Sequence, residues 1–329
     1  MAADRLRVFT WHVHGSYLQY LARAPHDFLL PVTPARTPPY HGRGRSDWPA
    51  NLIEVPARGV DRLDIDCVLF QTEHNWTHDQ WELLSDEQRA GPRVFLEHDP
   101  PREVPTDTRH HVDDPNVLLV HVTPFNELMW DNGGTPTRVI DHGVPVTDRA
   151  LWTGELDRGL VVVNNLGARG RRLGLDVWES VRREVPLDLV GIGSEQLGGL
   201  GEVPHAELPA FAARYRFLFN PIRYTSLGLA VLEAMAVGLP VVALATTEYA
   251  TAIENGVSGY VDTRVDTLVK RMHALLSDRD EARRLGEGAR RRAEERFGIE
   301  RFARDWDLAL RDAVALAGTG GEVATTRST

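Results

Sequence analysis

The chain has 329 residues, of which 42% are hydrophobic and 26% charged, and these proportions predict a globular protein with two domains. The net charge of −10 argues against a nucleic-acid partner, because phosphate backbones are bound by clustered cations. With one cysteine and no apolar stretch of the roughly 18 residues that a membrane helix needs, we expect a cytoplasmic protein without disulfides, signal peptide or membrane span. The sequence does not specify an oligomeric state.

Short β-branched runs alternate with amphipathic stretches along the whole chain. Parallel strands covered by helices on both faces produce this alternation, so the sequence predicts an α/β protein. The strands are predicted, in chain order, at residues 7–11, 67–71, 93–97, 117–121, 137–141, 159–164, 187–192, 217–220 and 240–244.

A polar, turn-rich segment follows residue 141 and precedes a new strand, which places a domain boundary there. We therefore predict one α/β domain over 1–150 and a second over 151–298. Residues 299–317 have the apolar spacing of a helix, expected to cross back to the first domain, and the tail 318–329 lacks core-forming residues and is predicted to be disordered.

Three further segments have distinctive composition. The basic stretch 280–297 contains interspersed glutamates, so a solvated helix face is favoured over an anion site. The Pro- and Gly-rich stretches 31–45 and 100–115 predict long surface loops, either functional or disordered.

The stretch 217–262 is the most informative part of the chain and has the pattern strand, loop, helix, strand, loop and turn. Ser226 or Thr225 is predicted to cap the helix, Gly228 to let the backbone approach a ligand closely, and Gly238 to end the helix. The free N–H groups of the first turn suit a phosphate, because they lie at the positive end of the helix dipole.

Glu233 stands in the otherwise apolar helix LGLAVLEAMAVG. An ionised carboxylate there is costly unless it is hydrogen-bonded. The hydroxyls of a ribose would satisfy it, and so would a buried salt bridge or a role as the N-cap of a neighbouring loop.

The stretch NPIRYTSLGLAVLEAMAVGLPVVA, followed by IENGVSGYV, resembles the donor-site signature of the retaining glycosyltransferases of the two-Rossmann-domain (GT-B) type, group 1 or family 4. The similarity extends back through GEVPHAELPAFAARYRFLFNP to LVVVNNLGARGRRLGLDVW. It implies two Rossmann-like domains facing across a cleft. Residues 1–150 would form the acceptor side, and residues 151–298 would form the donor domain, which holds most of the nucleotide sugar.

The resemblance assigns roles to residues of the second domain. Glu233 matches the second acid of the family's Glu-x7-Glu motif, which holds the ribose, and Thr225 stands where the first acid contacts the sugar. The backbone N–H groups of Ser226, Leu227 and Gly228 would lie against the sugar and diphosphate.

Further roles fall on the preceding loops and on the first domain. Val203 would contact the base through its main chain, and Arg169 and Arg172 are favoured over Arg171 for binding the diphosphate. In the first domain, Gly15 would allow close approach to the donor phosphate, or else cap a helix. His98 would lie beside the reacting sugar, or else be structural.

The resemblance implies a glycosyltransferase of the EC 2.4 class that moves a sugar, with retention, from a nucleoside-diphosphate sugar to a small-molecule or glycan acceptor. The co-substrate would carry UDP or GDP, and no cofactor is expected. No metal is expected either, because the pairs His12 and His14, and His110 and His111, lack the spacing of a defined metal site. An epimerase on the same architecture and a non-catalytic nucleotide-sugar-binding subunit are the alternatives, the latter because Thr225 replaces an acid.

Overall fold

The structure, a computed structural model, describes residues 4–44 and 48–325. It divides into two compact units, which are the described parts of Met1–Gly143 with Ile299–Thr329, and Val144–Gly298. The first change of unit falls after Gly143, earlier in the chain than the sequence predicts.

The strands form two parallel sheets. The first unit contains the order β3-β2-β1-β4-β5-β6-β7 and the second the order β12-β11-β10-β8-β9. The α/β class predicted from the sequence is thereby confirmed. The strands are β1 Arg7–Thr10, β2 Asp27–Val32, β3 Leu52–Pro56, β4 Cys67–Phe70, β5 Arg93–Glu97, β6 Val117–His121, β7 Thr137–Val139, β8 Leu156–Val162, β9 Leu187–Val190, β10 Tyr215–Asn220, β11 Val241–Leu244 and β12 Gly259–Asp262.

Helices connect the strands and cover the sheets. Short 3-10 turns occur at Val60–Arg62, Gly170–Leu173 and Ser194–Leu197, and a π-helical turn at Asn75–Asp79. The α-helices are α1 Gly15–Leu21, α2 Gln80–Leu83, α3 Asp86–Ala90, α4 Pro124–Met129, α5 Leu166–Arg169, α6 Leu175–Val181, α7 Leu208–Ala212, α8 Leu229–Ala236, α9 Tyr249–Ala252, α10 Val265–Ser277, α11 Arg279–Phe297 and α12 Ile299–Thr325. Among the described residues, no helix combines the length and the apolarity that a membrane crossing requires.

The last helix, α12, packs on the first unit. Phe302, Trp306 and Leu310 lie on one face, are fully buried, and each contributes roughly 1.5–3 kcal/mol by leaving water. The Trp306 indole N–H donates to the Tyr17 hydroxyl at 3.1 Å. The helix continues through Thr325, whereas the sequence predicts disorder from residue 318, because an established helix gains one hydrogen bond for each residue it adds. Residues 326–329 of the predicted tail lie outside the described part.

Strands β2, β3 and β12 are absent from the sequence prediction. Pro31, which signalled a loop, lies in β2 at a point where that strand is paired only with β3, through Val55. A residue without an N–H is tolerated there because β1 has already ended on the other side. The loop that follows β2 is described as far as Gly44. In this loop, Arg36 donates two hydrogen bonds to Glu54 of β3, at 3.0 and 2.8 Å. Arg45 lies outside the described residues.

The strand order places one topological switch point in each unit. In the first sheet, the connections leave β1 and β4 in opposite directions, and in the second sheet those from β8 and β10 do so. Ligands of open parallel sheets bind outside the carboxyl ends of the strands at such points. The loops after β8 and β10 are therefore where the second unit should hold a ligand.

Candidate functional site

Two loops of the second unit are joined at its switch point. The amides of Arg223 and Tyr224, in the loop after β10, both donate to the carbonyl oxygen of Arg172, in the loop after β8, at 3.1 and 3.2 Å. This contact brings the predicted diphosphate ligand Arg172 next to the Thr225–Gly228 segment.

Gly174 makes this approach possible. Its φ of +84° lies in the left-handed region, and a Cβ atom added there would stand 1.9 Å from the carbonyl oxygen of Pro221. Any other residue would therefore push the loop after β8 away from the loop after β10. The sequence prediction did not single out Gly174, because the clash is with a residue distant in sequence.

The three arginines of the loop after β8 differ in their surroundings. Arg171 is exposed and forms an ion pair with Asp176, whose pKa is lowered, chiefly by a hydrogen bond from Arg223. Arg172 is half-buried, and its guanidinium makes no ion pair or hydrogen bond with any residue of the described ranges. Arg169 is half-buried at the end of α5. Arg172 is thus a cation that retains its capacity to bind an anion.

The start of α8 differs from the sequence prediction. The N-cap residue is Gly228 in an extended conformation, without a side-chain cap, so neither Ser226 nor Thr225 caps the helix. The φ of Gly228 is −76°, and an added Cβ would meet only the Tyr249 hydroxyl at 3.5 Å, an ordinary contact. A glycine is therefore not required there by backbone conformation or by space. The cap prediction was wrong because short loops allow several residues to occupy that position.

Several polar groups in front of α8 remain available. The Ser226 hydroxyl oxygen is buried and has no hydrogen-bond partner in the described part of the chain. The amides of Ser226 and Leu227 likewise make no hydrogen bond with described residues. The amide of Gly228 donates to the Tyr249 hydroxyl at 3.2 Å, so it would bind a ligand only by exchanging that bond. A buried hydroxyl and two amides without partners are the kind of donors that an anionic ligand would satisfy.

At its other end, α8 stops where the sequence predicts. Gly238 has a φ of +82°, which favours glycine, and the Leu239 amide bonds back to the Ala234 carbonyl. Helix α11 passes so close that a Cβ added to its Gly286 would lie 2.0 Å from the Gly238 oxygen. This packing fixes the orientation of α8.

Glu233 lies on α8 with 6% of its surface exposed. Its Oε1 is 2.7 Å from Nε2 of His205, which belongs to the loop after β9. The hydrogen bond with Glu233 is the main cause that raises the pKa of His205 above its usual value. The salt-bridge alternative that the sequence left open for Glu233 is therefore present, in the form of an ion pair with His205. No local sequence pattern connects His205 to α8, so its contact with Glu233 could not be predicted from the sequence.

Val203 lies in the same loop and is half-buried. Its main-chain N–H and C=O make no hydrogen bond with residues that the structure describes, which leaves them available for a base. The loop is anchored just before this point: Gly201 accepts from the Gly191 amide at 2.9 Å, and its own amide donates to the Ser194 hydroxyl.

In the first unit, His98 follows β5 next to the other switch point. Its Nε2 is 3.2 Å from Oε1 of Gln71, and Gln71 in turn donates to the Trp11 carbonyl at 2.8 Å. The amide oxygen can only accept, so Nε2 carries the proton and Nδ1 keeps its lone pair. Burial holds the pKa of His98 well below its usual value, so the ring is neutral.

Gly15 is the first residue of α1, whose N-cap is His14, so the alternative interpretation of Gly15 as a helix cap is wrong. An added Cβ would lie 3.2 Å from Nε2 of His12, a tight contact. A larger residue would have to displace that imidazole.

His110 and His111, whose spacing in the sequence did not predict a metal site, lie close to Glu97. Ligand atoms of Glu97, His110 and His111 lie within 4.8 Å of one another and could hold a metal ion. The Val112 amide donates to Nδ1 of His110, which leaves the proton on Nε2, where it is donated to Glu97 at 3.2 Å. A metal at that nitrogen would have to displace this proton. Burial raises the pKa of Glu97 to about 7 and lowers that of His110 to about 4.

The chain was compared with known proteins. Residues 193–292 match the model of the family described as glycosyl transferases group 1. Curated protein sequences gave no match.

Solved structures share the fold at low sequence identity. Sucrose-phosphate synthase from Thermosynechococcus elongatus has a TM-score of 0.70 and 15% identity, covering 94% of this chain and 100% of its own. Anabaena HepE in complex with UDP has a TM-score of 0.67 and 15% identity, with the same coverage. Staphylococcus aureus TarM, in a complex that includes UDP, has a TM-score of 0.57 and 13% identity, covering 74% of this chain. The chain spans 55% of TarM. The GT-B fold is thereby confirmed.

Proposed function

We propose, from the group 1 glycosyltransferase domain that this chain carries on a GT-B fold, that the protein transfers a sugar from a nucleoside-diphosphate sugar to an acceptor hydroxyl with retention. The acceptor would be a small molecule or a glycan. Two of the proteins with similar structures, TarM and HepE, were solved in complexes with UDP, so UDP is the nucleotide to test first, followed by GDP.

The observation that carries the proposal is the buried carboxylate of Glu233 on a helix that is preceded by hydrogen-bond donors without partners among the described residues. Glu233 matches the ribose-binding acid of the family signature, and the joined loops after β8 and β10 place Arg172 beside the segment that precedes α8. A ribose on Glu233 would direct the diphosphate towards the Ser226 and Leu227 amides. One ligand would then satisfy both groups.

Charge develops on the departing diphosphate during transfer. A preorganised cation and backbone amides stabilise such charge most strongly where water is excluded. Arg172, joined by Arg169, would supply the cation, and a guanidinium fork fits a diphosphate geometrically. We accordingly propose that the reaction needs no metal ion.

In the first unit, we assign to His98 a contact with the transferred sugar. Its proton is held on Nε2 by Gln71, which leaves Nδ1 to accept a hydrogen bond from a sugar hydroxyl. Gly15 would leave room for the donor phosphate. Neither His98 nor Glu233 acts as a covalent nucleophile in this proposal.

Calorimetric titration with UDP, GDP, ADP and their sugar conjugates tests the proposal. Wild type is expected to bind one nucleotide in the micromolar range, and Glu233→Ala to lose that binding. Glu287→Ala, which alters an exposed acid of α11, is the matched control and should bind as wild type does. If no nucleotide binds, or if Glu233→Ala binds equally well, the donor-site assignment fails.

Product analysis separates the alternative functions. Sugar transfer to an acceptor supports the proposal. Conversion of the donor sugar without any acceptor would instead indicate an epimerase. Tight binding without turnover on a broad acceptor panel would indicate a binding subunit, the alternative motivated by Thr225.

A further inference from the structure

The loop after β9 contacts α8 through an ion pair between His205 and Glu233. His205 Nε2 lies 2.7 Å from Glu233 Oε1, a short distance that is typical of a hydrogen bond between charged groups. Glu233 is buried, whereas the His205 side chain is 36% exposed. The pair joins the loop that carries Val203 to the helix that carries the ribose-binding acid.

A carboxylate has two oxygens and accepts about four hydrogen bonds. His205 takes one position on Oε1 of Glu233. A carboxylate that receives this hydrogen bond binds ribose hydroxyls well only if it keeps one orientation. Without His205, the buried Glu233 would lose this cationic partner, and its carboxylate would be held less firmly in one rotamer.

We propose that His205 is a positioning residue of the donor site: its cationic imidazole orients the Glu233 carboxylate for the ribose. This inference rests on the proposed function. Donor affinity therefore depends on the protonation of His205, and it falls as pH rises and the imidazolium is lost.

Among the groups around His205, Glu233 is the one that favours the protonated imidazole. The hydrogen bond and the charge of Glu233 raise the His205 pKa, against the opposing effect of burial. The other charged groups on adjoining segments are exposed or engaged elsewhere. They are Glu202 and Glu207 on the loop before α7, both exposed, Arg290 of α11, bound to Asp148 and the Ala236 carbonyl, and Arg296 of α11, bound to Glu248 near α9.

Thermodynamic linkage gives the sign of a second effect. If the protonated form of His205 binds the donor more tightly, then donor binding must raise its pKa and draw a proton from the buffer. A histidine that served only to pack the loop would produce no such proton uptake.

Nucleotide titration of His205→Ala, His205→Gln and wild type, across pH and in buffers of different ionisation enthalpy, tests the proposal. We expect the alanine variant to bind the nucleotide about tenfold more weakly at neutral pH, the scale of one hydrogen bond to a charged group. The glutamine variant retains a donor to Glu233, so it should recover part of this affinity while losing both the pH dependence and the proton uptake. His273→Gln, an exposed histidine of α10, is the control and should change nothing.

The outcomes separate this inference from the proposed function. If wild type binds a nucleotide and Glu233→Ala does not, but His205→Ala binds as wild type does with the same proton uptake, the role of His205 is refuted while the donor site stands. If wild type binds no nucleotide, both are refuted.

A measurement on the free protein is independent of any donor. The His205 imidazole, followed by NMR, should titrate at a raised pKa in wild type and closer to the usual value of 6.5 in Glu233→Gln. If Glu233→Gln folds normally and His205 titrates equally in the two proteins, the proposal is overturned.

Discussion

Replacing Gly174 by alanine tests the contact that joins the two loops of the site. The left-handed conformation costs a non-glycine residue about 1–2 kcal/mol. Alanine at 174 would also place its Cβ 1.9 Å from the Pro221 oxygen, which forces the backbone to move and adds about 1–3 kcal/mol. We expect the variant to lose about 2–5 kcal/mol in total.

Gly198→Ala is the matched control. Gly198 has φ +78° and ψ +22°, close to the +84° and +29° of Gly174, and lies in the same unit. The nearest atom to its added Cβ is the flexible end of Arg182 at 3.9 Å. The control therefore carries the cost of the conformation without the clash.

Urea unfolding of the full chain, with nucleotide titration on the folded variants, measures both consequences. The free energy of unfolding should fall further for Gly174→Ala than for Gly198→Ala. Nucleotide affinity should fall only for Gly174→Ala, because Arg172 moves away from the loop after β10. Equal losses of stability in the two variants, with affinity preserved in both, would refute this reasoning.

Two other predictions concern single charges. Arg172→Ala should weaken the binding of a nucleoside diphosphate at least tenfold and reduce the salt dependence of that binding. Arg171→Ala should bind nearly as wild type does, because Arg171 is already paired with Asp176. Similar titration curves for the two variants would contradict the assignment of Arg172 to the diphosphate. Glu97 has a pKa raised from 4.5 to about 7, so the folded state binds its proton more tightly than the unfolded state and loses stability as pH rises from 4.5 through 7. The free energy of unfolding of Glu97→Gln, relative to wild type, should therefore rise over this window in urea titrations at several pH values, and a constant difference would show that Glu97 titrates normally.

The strand pattern in the sequence was sufficient for the fold class. Buried parallel strands such as β10 and β11 are apolar on both faces, so they stand out as continuous hydrophobic runs. Strand β2 was missed because it contains Pro31, and the partner that makes a proline acceptable there is known only once the strands are paired. The basic segment of α11 shows the same limit. The sequence indicates its charge, but not that Arg290 binds the Ala236 carbonyl at the end of α8.

The candidate site divides in the same way. By itself, the sequence determined that the carboxylate of Glu233 lies in an apolar helix, where its burial costs free energy, and that a loop with hydrogen-bond donors for an anion precedes this helix. Composition and local spacing are sufficient for this because they reflect the chemistry of a single segment. Only the tertiary structure decided that Arg172 has no ion pair or hydrogen bond from its guanidinium among the described residues, that Gly174 must be a glycine, and that His205 pairs with Glu233. Each of these facts depends on atoms from loops far apart in the chain, and such distances are set by the order and pairing of the strands.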